Sequence, residues 1–136
     1  MSRSPYLDHA ALTALAQRSQ QVTQPCACSK LPVDGWQSQP LSLPENQLSQ
    51  IGALVAESGD EPMDEPTFAE YHPDGTRYWS PDAPIAARYF PYNRCTVWAC
   101  TQCTRAFLRY QEGGGYFVDQ RIRALNKAAL IVDALD

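Results

Sequence analysis

The stretch Thr96-Val97-Trp98-Ala99-Cys100-Thr101-Gln102-Cys103-Thr104-Arg105-Ala106-Phe107-Leu108-Arg109-Tyr110 decides how this chain is read. Thr96 to Ala99 is β-branched and aromatic and suits an extended strand that runs into a Cys-x-x-Cys turn. On the far side Ala106, Leu108 and Tyr110 alternate with Phe107 and Arg109, a period of two. Two strands flanking a tight turn predict an antiparallel pair with two thiols at its tip. Gly113-Gly114-Gly115 then offers a flexible hairpin connection, and Tyr116-Phe117-Val118 returns as the next strand. The back half therefore reads as a small antiparallel β-meander built around a pair of cysteines.

A second close pair, Cys26-Ala27-Cys28, lies about seventy residues earlier, directly after Gln24-Pro25, which stops any helix before it. Four thiolates at about 2.3 Å complete the tetrahedral first shell of one zinc ion. Cys26, Cys28, Cys100 and Cys103 are accordingly expected to hold a structural zinc that pins the front of the chain to the back. Free thiols or disulfides, and a redox role for Cys-x-x-Cys beside Trp98, stay open as alternatives; a thioredoxin-like centre would require the motif to start a helix. Cys95, the fifth cysteine, is read as a buried core thiol.

Trp98-Ala99-Cys100-Thr101-Gln102-Cys103-Thr104-Arg105-Ala106-Phe107 resembles the knuckle of a zinc ribbon, in which two thiolates from a tight turn share a metal and a downstream aromatic packs beneath it. The resemblance covers about a dozen residues and implies a four-cysteine zinc module. This chain departs from it in two places. The first pair is the tighter Cys-x-Cys, and Thr104 stands where a ribbon often has glycine.

Working outward, Ser4-Pro5 is a helix start, with Leu7, Ala11, Leu12 and Leu15 as an apolar stripe, so a helix is predicted from about Pro5 to Gln20. Closely spaced prolines and Asp34-Gly35 make 30–44 irregular. Pro44 to Gln50 reads as a short helix, and Ile51 to Val55 as its continuation or a short strand. His72-Pro73-Asp74-Gly75 is a turn sequence, and Thr76 to Trp79 a strand after it, with Arg88-Tyr89-Phe90 a further aromatic segment. Residues 121–136 fit either a helix or a strand. The fold class that results is α+β: an N-terminal helix and loop-rich region packed on the meander, within one domain spanning 1–136.

The 136 residues carry a net charge of −4, unevenly spread. Residues 1–71 hold three bases against nine acids; residues 72–136 hold eight bases against six acids. Six acids and no base fall between Glu57 and Glu70. Such a segment repels phosphate and suits a basic partner. Glu57, Asp60, Glu61, Asp64 and Glu65 are the candidate partner-binding residues, of the sort an immunity or antitoxin protein presents to a basic nuclease-type toxin. The competing reading is a zinc-ribbon nucleic-acid module using Arg77, Arg88, Arg94, Arg105 and Arg109. No serine-nucleophile signature, phosphate loop or paired-acid metal motif occurs, so a non-enzymatic role is expected. His72 reads as a surface turn histidine. The sequence has no apolar run of bilayer length and no signal-peptide core, which sets a cytoplasmic expectation with reduced thiols.

Overall fold

Strict alternation on either side of the Cys-x-x-Cys turn produces the centre of the fold. The computed structural model describes residues 7–30, 33–40, 43–54, 69–114 and 117–132. Its elements are helix α1 (His9–Gln20) and strands β1 (Gln37–Ser38), β2 (Leu48–Ala53), β3 (Ile85–Ala86), β4 (Thr96–Cys100), β5 (Ala106–Gly114), β6 (Phe117–Ala124) and β7 (Ile131–Val132). Strands β4, β5 and β6 form the expected antiparallel meander, extended by β2 beside β4 and β1 beside β6. β3 and β7 form a small parallel pair. The protein is α+β.

Because successive strand residues face opposite sides, the meander buries two separate cores. Val97, Ala106, Leu108 and Tyr110 face α1, where they join Leu12, Leu15, Ala16, Trp36, Cys95 and Leu125. Cys100 and Phe107 face the other way, with Leu48 and Ile122, and pack under Cys28, Val33 and Leu43. Cys95 is fully buried in the first core, donates to the Pro91 carbonyl at 3.3 Å, and stands apart from the other four thiols.

α1 starts later than the sequence suggests. Asp8 caps it by accepting from the Ala11 N–H at 2.9 Å, and Leu7 stays outside the helix, its N–H donating to the Ala53 carbonyl at 3.0 Å. A strong side-chain cap and a competing backbone partner together place the boundary at His9; Ser4 and Pro5 lie outside the described residues. The buried face is Leu12, Leu15, Ala16 and Ser19, with Ala11 exposed. Ser19 is tolerated inside because its hydroxyl accepts from the Ala106 N–H at 2.9 Å, joining α1 to β5.

Three further expectations change. Pro44 to Gln50 is a single turn of 3-10 helix, Glu45–Gln47, followed at once by β2. A β-bulge between Gln50 and Gly52 breaks the period of two there and hides the strand from the sequence. Thr76 to Trp79 is not a strand but loop and turn. The Ser80 hydroxyl accepts from the Arg77 N–H at 2.9 Å, and the side chains of Tyr78 and Trp79 pack edge to face. Arg88 to Phe90 is likewise a turn. The predicted turn at His72–Gly75 forms, with Gly75 at φ +82°. At the C-terminal end β6 runs to Ala124 and a 3-10 turn precedes β7. Among the described residues no helix is long and apolar enough to cross a membrane.

Candidate metal centre

The two cysteine pairs converge. The sulfurs of Cys26, Cys28, Cys100 and Cys103 all lie within 4.8 Å of one another, with Cys26 half-buried and the other three buried. Cys26 Sγ is 3.7 Å from Cys100 Sγ, and Cys28 Sγ is 3.4 Å from Cys103 Sγ. A zinc–thiolate tetrahedron with bonds of about 2.3 Å has sulfur–sulfur edges of about 3.8 Å. Both close separations fall near that edge, and no disulfide joins any of the five cysteines. The donor set fits a tetrahedral thiophilic ion, with zinc the typical one.

Each pair reaches the site by a local device. Cys28 stands on a 3-10 turn, Ala27–Lys30, which curls the chain enough for two thiols one residue apart to face the same point. The second pair is closed by backbone bonds. Cys100 N–H donates to Arg105 O at 2.8 Å, and Thr104 N–H donates to Cys100 O at 2.8 Å. Thr104 has φ +73°, the left-handed conformation that glycine normally supplies. The departure from the ribbon pattern in sequence is thus met by a threonine held in the glycine conformation.

Two residues outside the expected set tie the pairs together. Arg105 donates from one guanidinium nitrogen to Gln24 O at 2.9 Å and Cys103 Sγ at 3.4 Å, and from another to Val22 O at 3.1 Å. It therefore bridges the second pair to the loop that leads into the first. A cation beside a thiolate also offsets the negative charge that four thiolates leave on a divalent ion. Gln47 accepts from the Cys26 and Cys100 thiols at 3.8 and 3.6 Å, and its carbonyl takes the Thr101 N–H at 2.7 Å. The position of Arg105 two residues past Cys103 is a signal that sequence could have offered; nothing local marks Gln47.

The thiols differ in acidity. Burial pushes Cys28 well up, reinforced by the Cys103 thiol. Burial also raises Cys100. At Cys103 burial acts upward too, but the Arg105 backbone N–H, the Cys28 thiol and the Arg105 side chain outweigh it and hold the group at about 7. Burial carries Cys95 well above its ordinary value, against a smaller downward pull from the Arg123 charge. Cys100–Cys103 joins two strands and starts no helix, so the dipole that activates a thioredoxin-like thiol has no counterpart at this turn.

The other candidates are placed as follows. His72 staples its own turn, with Nδ1 2.7 Å from Thr76 Oγ1 and Nε2 2.8 Å from Glu70 Oε1, away from the thiols. Arg105 is engaged at the cysteine site, and Arg109 is buried against Glu45 at 2.7 Å. Arg94 packs over the Phe90 ring, and Arg77 and Arg88 are exposed. Glu57, Asp60, Glu61, Asp64 and Glu65 lie outside the described residues. Comparison with protein-family models, curated proteins and solved structures finds no match.

Proposed function

We propose that this protein is a non-enzymatic binding module stabilised by a structural zinc at Cys26, Cys28, Cys100 and Cys103, and that its partner is a protein with a basic face. The observation that supports this reading is the closed arrangement of four cysteines. Four protein thiolates leave no position for a substrate or a reactive water, so the metal serves the fold and the work falls to other residues. The chain offers two features for that work. One is the acidic stretch Glu57, Asp60, Glu61, Asp64 and Glu65. The other is Trp79, 53% exposed, with the Arg121 guanidinium 5.0 Å from its ring centroid. Tryptophan and arginine are the residue types that anchor protein interfaces. A compact acidic inhibitor of a basic nuclease-type toxin, as an immunity or antitoxin protein is, has this combination. The nucleic-acid reading is weaker, since Arg105 and Arg109 of its five arginines are engaged inside the fold.

The test is affinity capture from the source cells at low and high salt, with a Glu57→Lys, Asp60→Lys, Glu61→Lys variant alongside. The reading expects a basic protein retained by the natural chain, with retention falling steeply with salt and at least about tenfold in the variant. Equal retention by the variant, or capture of nucleic acid in place of a basic protein, refutes it.

A further inference from the structure

Among the described residues, the meander face that packs under the cysteines is covered over only half its extent. Near the metal site it is apolar, with Leu48, Phe107 and Ile122 beneath Cys28, Val33 and Leu43. One register step further the same face turns polar. Thr96 is opposite Arg109, Gln50 opposite Trp98, and Gln111 opposite Gln120. These side chains line a cavity of about 550 Å³, together with Glu45 and Arg94. That size is ordinary for a small-molecule site.

At its floor sits Arg109, with 7% of its side chain exposed. Its guanidinium lies 4.6 Å from the centroid of the Trp98 ring and donates Nη2 to Glu45 Oε1 at 2.7 Å. Nε and Nη1 are buried and have no acceptor among the described residues. Charged donors left unmet in a buried place are strongly unfavourable, and in native proteins they are normally met by something. The carboxylate that meets the third nitrogen belongs to a side chain 61% exposed. Glu45 therefore has room to swing into solvent and free Arg109.

We propose that this cavity binds a small anionic ligand through a carboxylate or phosphate-type oxyanion, which takes the place of the Glu45 carboxylate at Arg109. The Arg109 guanidinium supplies two unmet charged donors, and the amides of Gln50, Gln111 and Gln120 supply hydrogen bonds for the remainder of the ligand. Glu45 is a built-in competitor: it neutralises Arg109 when the site is empty and yields when an anion arrives. The proposal does not rest on the protein-partner reading, since Trp79 is not among the described residues that line the cavity.

The experiment is an NMR titration of the full-length, ¹⁵N-labelled protein with sodium phosphate and, separately, sodium succinate, at fixed pH and ionic strength held with sodium chloride. Saturable shifts of the Arg109 Nε–H and of the Gln50, Gln111 and Gln120 side-chain amides are expected, with half-saturation on the order of 1–10 mM for so small a probe. Saturation by phosphate alone, succinate alone or both identifies the oxyanion, and each supports the proposal. Glu45→Gln removes the competitor and should tighten binding at least about threefold, whereas Gln120→Glu should weaken it at least about tenfold. Both positions are outside the buried core, so the variants fold. Absence of saturable shifts with either anion overturns the proposal, as does an affinity that neither substitution moves.

Discussion

Replacing Thr104 by glycine should make the protein more stable. A β-branched residue at φ +73° carries a Cβ that crowds the neighbouring carbonyl, at a cost of about 1–2 kcal/mol. The residue is exposed, so replacement removes no packing. Thr104→Gly relieves the crowding but loosens the unfolded chain, which takes back about 0.4–1 kcal/mol. The balance is a stabilisation of about 1 kcal/mol, or an increase of about 3–4 °C in Tm for a chain of this size. Gly75 provides the mirror case. It has φ +82° and no heavy atom within 4 Å of an added Cβ, so Gly75→Ala carries the backbone cost less the gain from a stiffer unfolded chain, and should destabilise by about 1 kcal/mol. Both are read by urea denaturation of the metal-loaded protein. A Thr104→Gly variant equal to or less stable than the natural chain refutes the assignment of strain to this turn.

Arg105→Met should leave the strands intact while weakening metal affinity about 10- to 100-fold, as measured by competition with a chromophoric chelator, because the bridge from Cys103 to Val22 and Gln24 is lost. Arg123 is 1% exposed and donates to the carbonyls of Asp34, Pro81 and Ala83 and to the Tyr92 hydroxyl. Arg123→Met strands those acceptors and should cost about 3–5 kcal/mol in denaturant unfolding. The Ser38 hydroxyl and the Arg121 guanidinium hold the Asp119 carboxyl below the usual range. Its link between β1 and β6 is therefore present above the ordinary carboxylate pKa and lost as pH falls through the depressed value. A carboxyl-carbon NMR titration should find the Asp119 midpoint low, and Ser38→Ala should move it upward.

Whether a feature is legible in the sequence depends on whether its signal is local. The turn at Cys100–Cys103 and the strands on either side are readable because alternation and thiol spacing sit within fifteen residues. The convergence of Cys26 and Cys28 on that turn is inferable from count and spacing, since four thiols are what one tetrahedral ion requires. β2 escapes the same reading because its bulge at Ile51 breaks the alternation and Gly52 lowers strand propensity. Thr76 to Trp79 has strand composition, yet its rings fold back on one another and on the core: Tyr78 stacks with Trp36 at 6.1 Å. Trp36 itself lies in a segment that reads as irregular, but it is 2% exposed and its Nε1 donates to the Tyr92 hydroxyl at 3.1 Å. That partner is 56 positions along the chain, beyond the reach of any periodicity. Arg109 reads as a surface phosphate contact because composition does not distinguish a buried guanidinium from an exposed one.

The clasp between the two cysteine pairs is tested most directly by the metal content of the protein as purified, compared with that of five single Cys→Ser variants. The account predicts about one zinc per chain, lost on substitution of Cys26, Cys28, Cys100 or Cys103 and kept on substitution of Cys95. Metal-free natural protein that folds normally, or zinc that survives the loss of Cys26 or Cys28 but not of Cys95, would contradict it.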